Sequence, residues 1–172
     1  SMVDEKQFSS ITIWVPLQDI TPSNGHLWVL KGSHKFEYTI RGGSGLRLHC
    51  AKSFEEVRHQ KFEKLTLQLK AGTALIYDHR LFHGSPPNET EETRIAINYT
   101  MIPEEAKSIH YQFRDDETVE ALEVPNSFYN NHILNTEPVG GKSLGFEKVV
   151  PTFLTQNQVN SLFVDNGKVI SL

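Results

Sequence analysis

The chain has 172 residues, a length typical of one domain, and hydrophobic residues make up 38% of it, as in an ordinary folded protein. Its 17 Lys and Arg residues against 21 Asp and Glu residues give a net charge of −4, which argues against nucleic acid and anionic membranes as partners. One cysteine, Cys50, leaves no intrachain disulfide, and no apolar run approaches the ~20 residues that span a membrane. These features predict a cytoplasmic protein.

Three short strands are predicted in the first 70 residues. Residues 9–17 are rich in β-branched and aromatic residues, residues 26–30 follow an Asn-Gly hairpin turn, and Leu alternates with polar residues over 65–69. In the first of these strands the alternation puts Trp14 on the more polar face. Spacing alone leaves two readings of Trp14 open: its indole N–H meets a ligand, or its ring packs on a neighbouring strand.

The prediction of a functional site depends mainly on residues 71–99. An apolar strand over residues 73–77 leads to His83 and a Gly-Ser-Pro-Pro-Asn turn, and a second strand then returns, carrying Arg94. On this returning strand Arg94 shares a face with small and polar residues. A neutral His can bind a metal, and the Arg fork can hold a carboxylate with two parallel hydrogen bonds. The pair therefore predicts a cavity for a metal and a carboxylate cosubstrate.

The remaining chain carries weaker signals. Residues 108–113 predict a strand, residues 115–123 a solvated acidic face, and residues 125–134 a short helix or turn. Short helices are also predicted over 53–63 and 151–163. Many short strands with turns between them and few helices predict a mainly β sandwich or barrel, such as a ligand-holding jelly roll.

Other chemistries are less well supported. His79 and His83 have the four-residue spacing of a helical zinc site, but the Gly-Ser-Pro-Pro run directly after them argues against a helix. A Ser85 nucleophile with a His base would lack the GxSxG elbow. His34 is interpreted as a turn residue rather than a ligand.

Five short motifs follow one another in a fixed order. They are Ile13-Trp14-Val15-Pro16-Leu17-Gln18-Asp19, Asn24-Gly25, Lys31-Gly32-Ser33-His34, Ala71-Gly72-Thr73-Ala74-Leu75-Ile76, and His83-Gly84-Ser85 with Asn88 and Arg94. In this order they closely resemble the phytanoyl-CoA dioxygenase family over residues 3–102. The resemblance implies a double-stranded β-helix, a fold of the jelly-roll or cupin-like type with a few peripheral helices, as one domain over residues 3–172.

The resemblance also implies a role for four residues. His83 matches a metal ligand, and Arg94 matches the Arg that holds the far carboxylate of 2-oxoglutarate. Ser85 matches a hydroxyl on the same carboxylate, and Trp14 matches a residue lining the cosubstrate pocket. Fe(II) and 2-oxoglutarate are the implied cofactor and cosubstrate, and the implied reaction is hydroxylation of a small-molecule substrate with release of succinate. The sequence carries no code for the substrate or the oligomeric state.

One part of the family pattern is missing. A facial triad needs two His and one carboxylate, and the family's His-x-Asp pair would stand before the segment that resembles Val3-Asp4-Glu5. No His precedes His26, and Met2 stands two residues before Asp4. We therefore expect an N-terminally incomplete oxygenase that is inactive by itself. The alternative is a non-catalytic jelly-roll binding domain that has lost its metal. A cupin-like metal isomerase would need further ligands beside His83, and the sequence offers none.

Overall fold

Short strands dominate the computed structural model, which describes residues 2–35, 62–115, 117–133, 136–148, 163–164 and 167–171. The elements in chain order are β1 (Ile11–Pro16), β2 (Leu27–Leu30), a 3-10 helix (Ser33–Lys35), β3 (Phe62–Gln68), β4 (Leu75–Asp78), β5 (His83–Gly84), β6 (Ala96–Met101), β7 (Ser108–Phe113), β8 (Thr118–Val124), α1 (Phe128–Asn131), β9 (Lys142–Lys148), β10 (Phe163–Val164) and β11 (Val169–Ser171). No helix in the described part of the chain has the length and apolar character to cross a membrane.

Contacts divide the described residues into two compact units. The first unit holds residues 10–35, 62–101, 163–164 and 167–171, and the second unit holds the other described residues. All four residues that the resemblance singles out lie in the first unit. The single domain predicted over residues 3–172 stays a prediction.

Two sheets build the first unit. One has the order β4-β1-β6 and is antiparallel throughout, and the other has the order β10-β3-β2-β5, with β11 also paired to β3. The strands β10 and β11 run parallel to β3, whereas β2 is antiparallel to both of its neighbours. The predicted mainly β fold of the jelly-roll type is confirmed.

One apolar cluster lies between these sheets. Its buried members are Trp14, Ile20, Leu27, Val29, Leu67 and Leu69. Because β1 contributes Trp14 and β2 contributes Leu27 and Val29, the cluster joins both sheets. Burial of each such side chain stabilises the fold by roughly 1.5–3 kcal/mol.

In the sheet β4-β1-β6, the side of β1 that carries Thr12, Trp14 and Pro16 points inward. Thr12, Trp14 and Pro16 are buried, whereas the aliphatic face of the same strand starts with Ile11, which is 39% exposed. Cross-strand pairing extends this aliphatic surface, here called the outer apolar face, which consists of Ile11, Ile13, Val15, Leu17, Ile76, Ile95, Ile97, Tyr99 and Met101. The sequence pattern correctly separated the two faces of β1. The Trp14 face, predicted to be the more polar one, covers the core between the sheets.

The second unit is a three-stranded antiparallel sheet of order β7-β8-β9 with α1 beside it. The strand β7 and the short helix were predicted. The prediction that residues 115–123 form a solvated acidic face was wrong. Most of that segment is β8, whose Val119, Leu122 and Val124 are buried. Glu120 is buried among them because Arg114 donates to its carboxylate at 2.7 Å.

The helices predicted over 53–63 and 151–163 lie almost wholly outside the described residues. At the described end of the first of these segments, residues 62–63 belong to β3. At the end of the second, residue 163 begins β10.

Candidate functional site

The exposed His83 stands at the start of β5, opposite Val29 of β2. Its Nδ1 lies 2.8 Å from the carbonyl oxygen of Leu81. Because a carbonyl only accepts, Nδ1 carries the proton in the neutral ring, and the lone pair is on Nε2. A backbone partner on one ring nitrogen is the usual arrangement of a metal-binding His. His83 therefore presents one nitrogen ligand in the required tautomer.

Tyr77 borders that lone pair. Its hydroxyl lies 3.4 Å from Nε2 of His83, and the two rings meet edge to face with centroids 5.0 Å apart. Burial raises the pKa of Tyr77, and a hydrogen bond with Thr12 partly offsets that rise. The phenol thus keeps its proton at neutral pH and can donate toward His83.

His79 directly follows β4 and is held beside β1, in the other sheet from His83. Its Nδ1 lies 2.8 Å from the hydroxyl of Thr12, and its backbone N–H donates to the carbonyl of Ser10. Among the described residues no three His, Cys, Asp or Glu side chains are grouped so that they could hold a metal ion. The described donor set therefore does not fit a complete two-His, one-carboxylate iron site, and His83 is its only matched member.

Arg94, Ser85 and Trp14 meet in one cluster, and Ser85 stands two residues after His83 in the chain. Nη1 of Arg94 donates to the carbonyl of Gly25 and, at 3.2 Å, to the hydroxyl oxygen of Ser85. The guanidinium carbon lies 5.7 Å from the ring centroid of Trp14, within cation–π range. The structure thus brings together three of the four residues that the resemblance singled out.

Gln18 fixes the backbone on both sides of Arg94. Its Nε2 donates to the carbonyl of Thr93 at 2.8 Å, and its Oε1 accepts from the N–H of Ile95 at 3.1 Å. This clamp fixes the backbone from which the Arg94 side chain extends, two residues before β6 begins.

Asn24 and Asn88 shape the loops around the cluster. Asn24 accepts from the N–H of Thr21 and donates to the carbonyl of Asp19, each at 2.8 Å, which closes the turn before Gly25. Asn88 donates to the carbonyl of Glu92 at 2.7 Å, which closes the loop between His83 and Arg94. Such side-chain bonds to nearby backbone are typical of Asn in turns.

Sequence reasoning gave no role to Gln18, Gly25 or Tyr77. Gln18 and Gly25 do stand in the motifs that carry the resemblance, which was the one available signal. Tyr77 ends the predicted apolar strand, and nothing in its neighbourhood marks it out.

Comparison with known proteins gives one family and two curated relatives. The family model described as Phytanoyl-CoA dioxygenase (PhyH) matches residues 2–96. A "Phytanoyl-CoA dioxygenase" of Arabidopsis thaliana is 26% identical over 121 residues, covering 68% of this chain and 40% of the relative. "Dioxygenase FUM3" of Gibberella moniliformis is 27% identical over 103 residues, covering 57% of this chain and 29% of the relative. The chain spans less than half the length of these curated relatives.

Two solved structures resemble the chain at 18% identity. One is the non-heme alpha ketoglutarate dependent epimerase SnoN from nogalamycin biosynthesis, with a TM-score of 0.46 over 87% of this chain and 48% of that one. The other is the non-heme alpha ketoglutarate dependent carbocyclase SnoK of the same biosynthesis, with a TM-score of 0.47 over 82% of this chain and 49% of that one.

Proposed function

Because the chain belongs to the phytanoyl-CoA dioxygenase family, we propose that it carries the cosubstrate end of a non-haem iron(II), 2-oxoglutarate-dependent oxygenase. The observation that supports this most directly is the cluster in which Arg94 lies against Trp14 and Ser85. The relatives named as dioxygenases support the same reaction class.

Arg94 has the chemistry to hold the far carboxylate of 2-oxoglutarate. A guanidinium has five N–H donors, and Nη1 is occupied by Gly25 and Ser85. The Nε and Nη2 donors form one edge of the fork, which matches the two oxygens of a carboxylate. The adjacent Trp14 ring adds a cation–π contact to the same guanidinium.

The spacing of His83 and Ser85 suits a dicarboxylate that also reaches a metal. Two residues of extended chain span roughly 7 Å, which is comparable to the length of a five-carbon dicarboxylate. His83 at one end would bind the metal, and Arg94 beside Ser85 would bind the distal carboxylate. In a complete site, bound iron would supply the oxygen chemistry, while these residues would bind and orient the cosubstrate.

A non-catalytic binding domain is the second candidate. The absence of a three-ligand group among the described residues favours it, because a pocket with Arg94 and Trp14 could bind a carboxylate without turning it over. A small-molecule substrate and a cytoplasmic location stay predictions under either function.

Calorimetry or NMR titration with 2-oxoglutarate tests the proposal. Arg94→Ala should weaken binding by roughly 2–5 kcal/mol because it leaves the carboxylate without its charge partner. Arg94→Lys should recover only part of this, since an ammonium lacks the two-pronged fork. Lys70→Ala is the matched control, because Lys70 is a 77% exposed cation of the same unit that pairs with Asp19. Equal binding by the parent chain and Arg94→Ala would reject the assignment.

Succinate release separates the two candidate functions. A version of the protein extended by upstream sequence that includes a His-x-Asp pair should release succinate with Fe(II) present. An extended version that binds 2-oxoglutarate and iron yet never releases succinate would favour the binding domain.

A further inference from the structure

A hollow lies on one face of the β7-β8-β9 sheet in the second unit. Tyr111, Ala121 and Gly145 are direct partners across the three strands, so they form one row on this face. Tyr111 is the one large side chain of the row. A Cβ built on Gly145 would meet nothing within 4 Å, so the space over that end of the row is open. Two small residues beside a large one thus leave room for a ligand on the sheet.

The N-terminal segment closes one side of this hollow. The backbone N–H of Ile109 donates to the carbonyl of Met2 at 2.8 Å, and Val3 is buried with 1% of its surface exposed. Asp4 then forms a turn, in which its carboxylate accepts two hydrogen bonds from within the segment, at 3.0 and 2.8 Å. The segment and the sheet enclose a cavity of about 360 Å³. This volume lies at the lower end of the roughly 300–1,000 Å³ that small-molecule sites occupy.

Apolar and acidic side chains share the lining of the cavity. Leu144 and Phe146 line it and are both exposed, so apolar surface is available to a ligand there. The charged residues of the lining are three carboxylates and one amine: Asp4, Glu5, Glu147 and Lys6. The cavity therefore combines apolar surface with an excess of negative charge, which complements a ligand that is apolar at one end and cationic at the other.

The field of the carboxylates reaches Tyr111 in the lining of the cavity. Burial raises the pKa of Tyr111 to about 12, and the negative charges of three carboxylates contribute to the rise. These carboxylates are Glu147, Glu5 and Asp4, the same three that line the cavity. The phenol therefore keeps its proton at neutral pH, and a cation placed beside it would be stabilised by the charges that oppose its ionisation.

The arrangement of the carboxylates favours an organic cation over a metal ion. Within the described ranges, no three His, Cys, Asp or Glu side chains are grouped closely enough to hold a metal ion. A metal ion needs several oxygen ligands that converge on one point. An organic ammonium needs no such convergence, because its apolar group is bound separately, and it also interacts favourably with the face of a Tyr ring.

We propose that this cavity binds a small organic cation, a primary amine that carries an apolar alkyl or aryl group. The ammonium lies beside Tyr111 and Glu147, and the apolar group lies over Ala121, against Leu144 and Phe146. None of these residues belongs to the cluster around Arg94. The inference therefore does not rest on the proposed function, and the failure of either one leaves the other standing.

NMR titration of the whole chain with phenethylamine tests the site. Phenethyl alcohol and hydrocinnamate carry the same ring with a neutral and an anionic end. We expect the amine to shift the backbone signals of Tyr111, Ala121 and Gly145. It should bind on the order of tenfold more tightly than the alcohol, as an ion pair and a cation–π contact together imply. Equal binding of amine and alcohol, or no shift of these signals, would overturn the proposal.

Glu147→Gln tests the contribution of charge while it keeps the shape of the side chain. It should weaken amine binding about two- to fivefold, the range of an exposed ion pair, and leave binding of the alcohol unchanged. Glu105→Gln is the matched control, because Glu105 is an exposed carboxylate of the same unit and is not among the residues that line the cavity. Equal losses in the two variants would reflect net charge alone and would reject the site.

Ala121→Leu tests the location of the ligand. A Leu at this central position extends into the hollow, so the signal shifts caused by the amine should disappear. Phe146→Ser is the second variant if Ala121→Leu does not fold, since Phe146 is 65% exposed and its loss leaves the core intact. Phe146→Ser should weaken the amine and the alcohol alike. Undiminished amine binding by either folded variant would place the amine elsewhere and overturn the inference.

Discussion

The indole of Trp28 lies across the α-carbon of Gly84, its pairing partner on the adjacent strand. A Cβ on Gly84 would come within 2.4 Å of Cζ2 and 2.7 Å of Cε2 of the indole, closer than real side chains approach. Gly84 stands between His83 and Ser85, so this contact also fixes the segment that carries both residues.

Gly84→Ala should therefore destabilise the fold by about 1–3 kcal/mol, the usual cost of overpacking. Thermal or urea unfolding of the parent and variant measures this. In a Trp28→Leu background the smaller side chain makes room, and the cost of Gly84→Ala should shrink. An unchanged cost in that background would mean that Trp28 is not the cause.

Acid should weaken the first unit through Asp78 and Arg80. The two side chains form an ion pair at 2.7 Å and are 20% and 22% exposed. Burial pushes the pKa of Asp78 upward, but the hydrogen bonds and the charge of Arg80 outweigh it, so the pKa lies below its usual 3.8. A carboxyl with a lowered folded-state pKa stabilises the fold above its unfolded pKa, and this contribution is lost as the pH falls through the folded value.

At pH 7, Asp78→Asn should cost about 1–2 kcal/mol of unfolding free energy, the range for a hydrogen bond to a charged group at a half-buried site. The difference from the parent should shrink as the pH falls below 3.8, the usual pKa of an Asp, and through the lower pKa of the folded protein. Unfolding measured from pH 2 to pH 7 provides the test. Asp19→Asn is the control, since its partner is the exposed Lys70 and its loss should be smaller. A pH-independent difference at Asp78 would contradict the electrostatic account.

The chain as given should bind Fe(II) only near millimolar concentration. Four-ligand zinc peptides gain about 10–16 kcal/mol, or roughly 2.5–4 kcal/mol for each ligand, and about 4 kcal/mol corresponds to a dissociation constant near 1 mM. His83→Ala should remove this weak binding and His34→Ala should not, as followed by anaerobic NMR titration. Micromolar binding that survives His83→Ala would place the ligands elsewhere, and Asp4 with His26 or His34 would be the next residues to change.

The strands near the site were predictable because their alternation is regular. The predicted strands over 9–17, 26–30 and 73–77 overlap β1, β2 and β4, with ends that differ by at most two residues. Which face points inward was not predictable from alternation, because β1 carries apolar side chains on both faces. Only the second sheet, whose Val29 and Leu67 pack against Trp14, decides the matter.

The site was predictable only in part. The order of motifs led to Arg94, Ser85 and Trp14, and the structure brings these side chains together. The sequence carried no signal for the carbonyl of Gly25. Every residue has a backbone oxygen, and only the folded structure shows which of them lies in the site. The strand β8 was missed because acidic residues such as Glu120 suggest solvent, whereas Arg114 makes the burial of this one possible.

The outer apolar face has a consequence for how this protein should be handled in the laboratory. Ile76 is 61% exposed and Tyr99 is 62% exposed on a sheet whose other side is already filled. Each Å² of such surface that becomes covered gains roughly 25 cal/mol, whatever covers it. The melting temperature should therefore vary with protein concentration, mild detergent and excluded cosolvents. A melting temperature measured in one buffer therefore applies to that buffer alone. Purification yields should depend on the same variables.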